Sequence, residues 1–305
     1  MSGTTGTADR LAGVIPVLAT AFRPDSAVDF DAVEREVDEL VEAGAGWLAL
    51  GYGSEIHCLA DEDAAGLSRH VATAAGGRAR LLGNVEAASE PGQTLVSIEK
   101  AAGLGATAVM LRPSPAQGGT SRAVGDALAG IASAAAVPIV VQDAPQHTGV
   151  DLDVSDLAEL AAAPGVAGLK IEPPDAAAKI ALVKCRLLPG AAPLVAGRGA
   201  VDLIREVAAG AEATMPGAGL ALSLVSLFRA AERGDRAGAV RSWARLAPLM
   251  LLGERNFATF VQLQKTLLAR RGVFADDRIS PQLGRYDPGL AAEVDDLAAA
   301  TGATL

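Results

Sequence analysis

The run Val166-Ala-Gly-Leu-Lys-Ile-Glu172 is a short apolar segment with a lysine near its centre, and proline and glycine residues bound it on both sides. Apolar runs of this length between such residues are typical of a buried β-strand. Because side chains alternate along a strand, Gly168, Lys170 and Glu172 lie on one face of it. The apolar side chains between them face the other way, and we expect them to pack against helices.

Lys170 in the middle of this strand indicates a chemical function. Burial disfavours the charged form of an amine, and a neutral amine is the nucleophile that forms a Schiff base with a carbonyl substrate. The alternative is a lysine near a strand end whose ammonium group reaches water. The rest of the sequence favours the first interpretation.

Eight short β-prone runs alternate with Ala-rich helical patterns along most of the chain. The predicted strands are Gly13–Thr20, Trp47–Gly51, Arg80–Asn84, Ala108–Arg112, Pro138–Asp143, Ala167–Glu172, Pro193–Gly197 and Ala213–Met215. The predicted helices between them are Phe30–Ala43, Asp61–Ala75, Gly92–Gly103, Arg122–Ala136, Val154–Ala163, Pro174–Leu188 and Gly199–Ala209. Asp29 and Asp153 are predicted N-caps, and Gly44 ends the first helix. Repeated units of strand and helix predict a parallel (β/α)8 TIM barrel.

After the eighth strand the pattern is helical only. Leu220–Glu232 is predicted to be the eighth barrel helix, and three more helices follow at Ala237–Leu252, Phe257–Arg271 and Leu290–Ala300. No flexible linker separates them from the barrel. We therefore expect a barrel over residues 1–233 and a packed C-terminal three-helix extension over residues 234–305.

Composition excludes several functional classes. The chain has 305 residues, half of them hydrophobic, and a net charge of −10. This charge argues against a nucleic-acid or anionic membrane partner. The two cysteines form no CxxC pair, and the histidines show no metal-ligand spacing, so we expect neither a disulfide framework nor a metal site. Without a signal peptide or an apolar run of about 18 residues, a cytoplasmic protein is expected.

A (β/α)8 barrel places its active site at the C-terminal ends of its strands. The segments that end there are Gly51–Glu55, Gln142–Thr148, Lys170–Glu172, Gly197–Arg198 and Met215-Pro216. Strand alternation then directs Lys170 into the barrel mouth. This location favours a nucleophile over a surface lysine.

Five segments together resemble the dihydrodipicolinate synthase and N-acetylneuraminate lyase family. They are Gly13-Val-Ile-Pro-Val-Leu-Ala-Thr-Ala-Phe22, Gly51-Tyr-Gly-Ser-Glu55, Thr148-Gly-Val-Asp-Leu152, Gly168-Leu-Lys-Ile-Glu172 and Arg270-Arg-Gly-Val273. The second stands in place of the family's Gly-Thr-Thr-Gly-Glu loop, and the fourth matches its Schiff-base strand. Five such segments in the family's order, separated by a barrel pattern, identify the chain as a divergent member.

The resemblance implies a class I aldolase-type lyase that holds a 2-oxo acid, usually pyruvate, as a Schiff base on Lys170. It implies that backbone N–H groups of Gly53 and Ser54 bind the substrate carboxylate, as successive N–H groups can do for an anion. Gly197 lies where the family contacts substrate through its backbone. Arg198 either holds a distal carboxylate or lies on the barrel rim. No cofactor is expected, and the family is mostly tetrameric, so a homotetramer or a dimer is expected.

The chain departs from the family's pattern at positions that handle protons. Gln142 replaces the catalytic tyrosine, Asp143 replaces an asparagine, and His147 replaces an arginine. Tyr52 and Gly53 replace two loop threonines. A glutamine amide can orient a substrate but cannot exchange a proton near neutral pH.

Several residues are therefore candidates for the group that transfers protons. Tyr52 and Asp143 are the predicted catalytic partners of Lys170, with Glu172, His147 and a bound water as alternatives. Gln142 and His147 are further predicted to bind the substrate.

Two functions follow from these observations. The first is a Schiff-base-forming lyase, an aldolase or a dehydratase, that acts on pyruvate or a longer 2-oxo acid through Lys170. The second is a degenerate barrel that binds a small carboxylic acid or serves as an assembly or regulatory protein. The missing tyrosine favours the second function, and the lysine favours the first.

Overall fold

A computed structural model describes residues 10–303 of the chain. Eight strands occur, β1 Gly13–Val14, β2 Trp47–Ala49, β3 Arg80–Glu86, β4 Ala108–Arg112, β5 Ile139–Asp143, β6 Val166–Ile171, β7 Leu194–Ala196 and β8 Ala213–Thr214. The helices are α1 Phe30–Glu42, α2 Asp61–Ala75, α3 Pro91–Gly103, α4 Ser121–Ala134, α5 Pro145–Thr148, α6 Val154–Ala162, α7 Ala176–Lys184, α8 Leu203–Ala209, α9 Ala218–Glu232, α10 Arg236–Gly253, α11 Phe257–Arg270 and α12 Leu290–Thr301.

The strands form one sheet in the order β1-β8-β7-β6-β5-β4-β3-β2. The pairings from β3 to β8 are parallel. Val17, in the segment that follows β1, forms parallel bridges to Ala49 of β2 and to Gly217, which follows β8. The bridge to Ala49 joins the two ends of the strand order. Eight parallel strands that alternate with helices confirm the predicted (β/α)8 fold, with α9 as the eighth barrel helix and α10 to α12 after it.

Alternation along the strands directs one set of side chains toward the helices and the other set to the opposite face of the sheet. Leu111, Val141 and Leu169 belong to a buried cluster with helical residues such as Ile98 and Leu128. Their side chains therefore face the helices. The residues next to them in sequence, such as Gln142 on β5 and Lys170 on β6, face the other way, as the sequence predicted for Lys170.

The chain divides into two compact units. Within the described residues, the first unit holds residues 10–13, Leu82–Gly197 and Arg205–Thr214. The second holds Val14–Leu81, Arg198–Ile204 and residues 215–303. The boundary predicted between residues 233 and 234 stays a prediction. Residues 1–9 and 304–305, which the predicted domains include, lie outside the described part of the chain.

Several elements differ from the sequence-based expectations. The predicted helix Gly199–Ala209 is a left-handed turn at Arg198–Ala200 followed by the short α8, because φ is 48° at Arg198, 59° at Gly199 and 65° at Ala200. The first strand is shorter than expected, since Pro16 has no N–H to donate to a neighbouring strand. The N-cap predicted at Asp29 is confirmed, because its side chain accepts a hydrogen bond from the Ala32 N–H.

Two further differences concern helices near the ends of strands. Asp153 stands at the N-cap position of α6 but makes no capping hydrogen bond through its side chain. The four-residue helix α5 begins at Pro145 and was not predicted. Every helix between residues 10 and 303 is too short or too polar to span a bilayer.

Glu36 is a buried carboxyl group on α1 in the second unit. The residue is fully buried, and one of its carboxyl oxygens, Oε1, accepts a hydrogen bond of 2.9 Å from the Ala19 N–H. Its other oxygen, Oε2, has no hydrogen-bond partner. Burial raises the pKa of Glu36 from 4.5 to about 8, against the opposing effects of the Ala19 hydrogen bond and of Arg271 and Lys265.

The raised pKa of Glu36 predicts that the free energy of unfolding falls as the pH rises. Because its pKa is higher in the folded state, folding favours the protonated form, and this contribution disappears as the pH rises from about 5 to about 8. At about 1.4 kcal/mol per pH unit, the free energy of unfolding should fall by roughly 3 kcal/mol. Urea unfolding across this range should show a flatter profile for Glu36→Gln. Glu42→Gln, at an exposed position on the same helix, should keep the slope of the parent; an equal slope in all three proteins would contradict the prediction.

Candidate active site

Lys170 lies on β6 and is almost completely buried, with 6% of its surface exposed. In the sheet it is level with Gln142 on β5 and Val195 on β7. Its Nζ lies 3.1 Å from Oε1 of Glu172, two residues further along the same strand face. A nitrogen in this position can exchange a proton with the carboxylate directly.

Glu172 connects Lys170 to Gln142. Its second oxygen, Oε2, accepts a hydrogen bond of 2.5 Å from Nε2 of Gln142. The backbone carbonyl of Glu172 accepts a further hydrogen bond of 2.8 Å from Nε2 of Gln146, on the short helix α5. Gln142 Oε1 is buried without a hydrogen-bond partner. The glutamine thus orients the carboxylate, and its own carbonyl oxygen can still accept a hydrogen bond.

Gly197 makes room for this arrangement. A Cβ atom built at Gly197 would overlap the carboxyl group and Cγ of Glu172. Its backbone is buried at the end of β7. Gly197 was predicted to contact substrate, and that role stays a prediction, whereas the structure shows that any larger residue there would displace Glu172.

Asp143 lies apart from this cluster. As the next residue after Gln142 on β5 it faces the helices, is fully buried and lies 2.7 Å from Nζ of Lys179 on α7. Its other oxygen accepts a hydrogen bond of 3.3 Å from the Leu152 N–H. Burial raises the pKa of Asp143, and Lys179 partly offsets this. These contacts assign Asp143 a structural role, and its predicted catalytic role has no support from its position.

The predicted carboxylate-binding loop forms a 3₁₀ turn, Tyr52–Ser54, in the second unit. The Ser54 N–H donates a 3.0 Å hydrogen bond to the Gly51 carbonyl, and Ser54 Oγ accepts one from the Gly51 N–H. The Tyr52 ring meets the edge of the His57 ring, with 4.5 Å between centroids. The Ser54 N–H is therefore engaged within the turn, and the roles predicted for Tyr52, Gly53 and Ser54 stay predictions.

The two remaining predicted residues are closer to solvent. His147 is exposed on α5. Arg198 Nη2 lies 2.9 Å from Oε2 of Glu254, the C-cap of α10. The positive φ of Arg198 is unusual for a residue with a side chain and stores strain in this turn. The ion pair with Glu254 is consistent with the rim position that was one of two predictions for Arg198.

Sequence reasoning gave too little weight to Glu172. It was named among four side-chain alternatives for the proton-handling group, and it is the one whose carboxylate contacts Lys170. The signal was the Lys-x-Glu spacing, which places both side chains on one face of a strand. The contact from Gln146 had no signal in the sequence, because α5 was not predicted.

A family model described as the dihydrodipicolinate synthetase family matches residues 10–288. The chain belongs to this family. Its fold also matches a crystal structure of dihydrodipicolinate synthase from Rhodopseudomonas palustris, with a TM-score of 0.85 and 21% identity over 96% of this chain and 98% of that one. The family and the (β/α)8 fold predicted from sequence are thereby confirmed.

Two named relatives show which members of the dihydrodipicolinate synthetase family this chain is similar to. It is 28% identical to L-2-keto-3-deoxyarabonate dehydratase of Azospirillum brasilense over 298 residues, which are 95% of this chain and 94% of the relative. It is 31% identical to 4-hydroxy-tetrahydrodipicolinate synthase of Xanthomonas axonopodis pv. citri over 176 residues. That second match covers 56% of this chain and 58% of the relative. Both relatives agree with the predicted lyase class.

Lys179 provides a test of the structural role of Asp143. Its Nζ lies 2.7 Å from Asp143 and 2.7 Å from Asp151, and its side chain is 13% exposed. Lys179→Met leaves the buried Asp143 without its cation, so the free energy of unfolding should fall by about 2–4 kcal/mol. Lys184→Met removes a lysine of the same helix whose side chain is 44% exposed, and it should cost less than about 1 kcal/mol. Equal urea midpoints for the two variants would be inconsistent with this assignment.

Proposed function

We propose that this protein is a Schiff-base-forming lyase that acts on pyruvate or a longer 2-oxo acid, with Lys170 as the nucleophile. The observation that carries the proposal is the contact between the buried Lys170 Nζ and Glu172 Oε1, 3.1 Å apart. A carboxylate at this distance provides a base for the lysine nitrogen and an acid for the leaving oxygen. Family membership supports the same chemistry.

Imine formation follows from this geometry. Glu172 takes a proton from the ammonium group of Lys170, and the neutral amine attacks C2 of the 2-oxo acid. A proton then passes from the attacking nitrogen to the C2 oxygen, which gives the carbinolamine. The protonated Glu172 then returns the proton to the carbinolamine hydroxyl, which leaves as water. The iminium that results withdraws electrons from C3, so a C–C bond can break or form there, or a hydroxyl can leave from C4.

Glu172 is the residue we propose for the proton transfers. Gln142 cannot exchange protons near neutral pH, but its hydrogen bond of 2.5 Å orients the Glu172 carboxylate. Asp143 contacts Lys179 instead of Lys170. The roles of Tyr52 and His147 stay predictions from the family resemblance.

Dehydration of a longer 2-oxo acid is the reaction we favour within this class. The Azospirillum dehydratase aligns over nearly the whole of both chains, whereas the match to the Xanthomonas synthase spans a little over half of each. The name of the dehydratase describes a 2-oxo acid that lacks a hydroxyl at C3. An imine at C2 would acidify the C3–H, so that a C3 proton and the C4 hydroxyl leave together as water. Aldol cleavage or formation with pyruvate is the second candidate.

The cellular context and the oligomeric state are carried over from the sequence-based expectations and the family resemblance. We propose a cytoplasmic homo-oligomer, a tetramer or a dimer, that needs no cofactor. The degenerate-barrel alternative is not favoured, because Lys170, Glu172 and the space left by Gly197 occur together.

Reductive trapping tests the proposed nucleophile. Incubation with pyruvate and borohydride should raise the intact mass by one reduced pyruvate adduct, because borohydride reduces the imine to a stable amine. Lys170→Ala should lose the adduct, and Lys184→Ala, at a largely exposed lysine, should keep it. The same experiment with a 2-oxo acid that carries a hydroxyl at C4 should also give an adduct that has lost water. The proposal fails if no 2-oxo acid gives an adduct, or if the adduct persists in Lys170→Ala.

Glu172 and Gly197 should control the rate of adduct formation. Glu172→Gln removes the proton carrier and should lower that rate by about 10²-fold or more at saturating pyruvate. Gly197→Ala keeps the carboxylate but displaces it, and a loss of about 10²-fold is expected. Gly130→Ala changes a glycine of α4 with open space around it and should leave the rate unchanged. A Gly197→Ala variant with the rate of the parent would contradict the proposed role of Glu172.

A further inference from the structure

Arg112 is the last residue of β4 and lies on the same face of the sheet as Lys170. Leu111 before it faces the helices, so the Arg112 side chain faces the other way. Only 6% of the residue is exposed. A charged guanidinium group is costly to bury without a partner of opposite charge, and the imine chemistry of Lys170 gives this arginine no role.

The register of the sheet places Arg112 two strands away from Lys170. Leu111 is level with Val141 on β5. One residue further along each strand, Arg112 comes level with Gln142, and Gln142 is level with Lys170 on β6. Since neighbouring strands lie about 4.8 Å apart, the backbones at Arg112 and Lys170 are separated by roughly 10 Å. All of these residues belong to the first unit.

One partner of Arg112 is Glu86, which is level with it on β3. Nη2 of Arg112 forms an ion pair with Oε2 of Glu86. The two side chains differ in burial, because 7% of the arginine side chain is exposed and 51% of the glutamate side chain. The glutamate can therefore move into solvent at little cost. Another carboxylate can then take its place beside the guanidinium group.

Gln142, between the two cations, supplies an independent indication of a ligand. It is 8% exposed, and its Oε1 has no hydrogen-bond partner among the described residues. A buried acceptor without a donor costs free energy. Because Gln142 shares its face of the sheet with Arg112 and Lys170, a molecule bound between these cations can supply the donor. A hydroxyl group on the carbon chain of a substrate is such a donor.

We propose that Arg112 is a specificity-determining residue that binds a distal carboxylate, so that the substrate is a hydroxylated 2-oxo dicarboxylic acid. This inference rests on the proposed function. The C1 carboxylate of the substrate is one bond from the carbon joined to Lys170, whereas Arg112 lies a full strand beyond Gln142. A guanidinium group at that separation matches a carboxylate further along the chain, and its planar fork can pair with both carboxylate oxygens.

Reductive trapping with two 2-oxo acids of equal length tests this role. The first, 2-oxoglutarate, carries a distal carboxylate, and the second, 2-oxopentanoate, ends in a methyl group. For each protein, trapping with borohydride measures the concentration for half-maximal adduct formation. In the parent this concentration should be lower for 2-oxoglutarate than for 2-oxopentanoate by about tenfold or more, since hydrogen bonds between charged groups are strong.

Substitution of Arg112 should remove this preference. Arg112→Met should raise the half-saturating concentration of 2-oxoglutarate by about tenfold or more, with a much smaller change for 2-oxopentanoate. Arg112→Lys keeps the charge without the planar fork and should lose part of the preference. Glu86→Gln removes the carboxylate that competes for the guanidinium group, so the preference for 2-oxoglutarate should increase by about threefold.

The matched control is another arginine of the same unit that pairs with a glutamate. Arg10 precedes β1 and Glu212 precedes β8, so their ion pair, with an N–O distance of 2.7 Å, lies near the opposite ends of the strands. Arg10→Met should leave the half-saturating concentrations of both acids unchanged.

The outcomes separate this inference from the proposed function. A parent that forms an adduct with pyruvate but does not prefer 2-oxoglutarate would overturn the role of Arg112 alone, whereas a parent without any adduct would overturn the function and this role together. Equal losses for both acids in Arg112→Met would indicate a structural ion pair and would also overturn the inference. If Arg112→Met does not fold, Glu86→Gln decides, and an unchanged preference in that variant would overturn the proposal.

Discussion

The contact between Lys170 Nζ and Glu172 Oε1 is the interaction on which the site depends. It places a base beside a buried amine, and both groups are rigid because they lie on or directly after the same strand. The hydrogen bond from Gln142 Nε2 orients the carboxylate from the neighbouring strand. Gly197 on the other side has no side chain to displace it. Three adjacent strands therefore cooperate to hold one carboxylate against one nitrogen.

The described part of the chain contains a second buried lysine, Lys265, whose surroundings differ from those of Lys170. Lys265 meets a carboxylate, a backbone carbonyl and an aromatic ring, which together surround its nitrogen. Lys170 meets Glu172 at the C-terminal end of a barrel strand, where ligands bind in this fold. Both pairs place charge in the interior of a unit. The first pair is the one that we propose to transfer protons to a substrate, and the second connects α11 to Glu55.

The sequence predicted the fold and the position of Lys170 well, because both follow from periodicity. Apolar alternation gives each strand a helix-facing side, and Lys170 falls on the opposite side. Asp143 shows where the same reasoning was not carried far enough. It follows Gln142 directly on β5, so the two side chains must face opposite ways, and only Gln142 can join Lys170. The left-handed turn at Arg198–Ala200 could not be predicted, because two of its three residues are not glycine.

The replacement of the family's tyrosine has a geometric consequence that links three positions. A glutamine at 142 cannot carry protons, so the carboxylate must come from another position on the same face. On this face the position two residues beyond the lysine lies directly after β6, and Glu172 occupies it. A side chain there extends over the end of β7, where Gly197 leaves the space it needs. The position of the Glu172 carboxylate therefore depends on both neighbouring strands. A larger residue at 197 would displace the carboxylate. A residue without a hydrogen-bond donor at 142 would leave it unoriented.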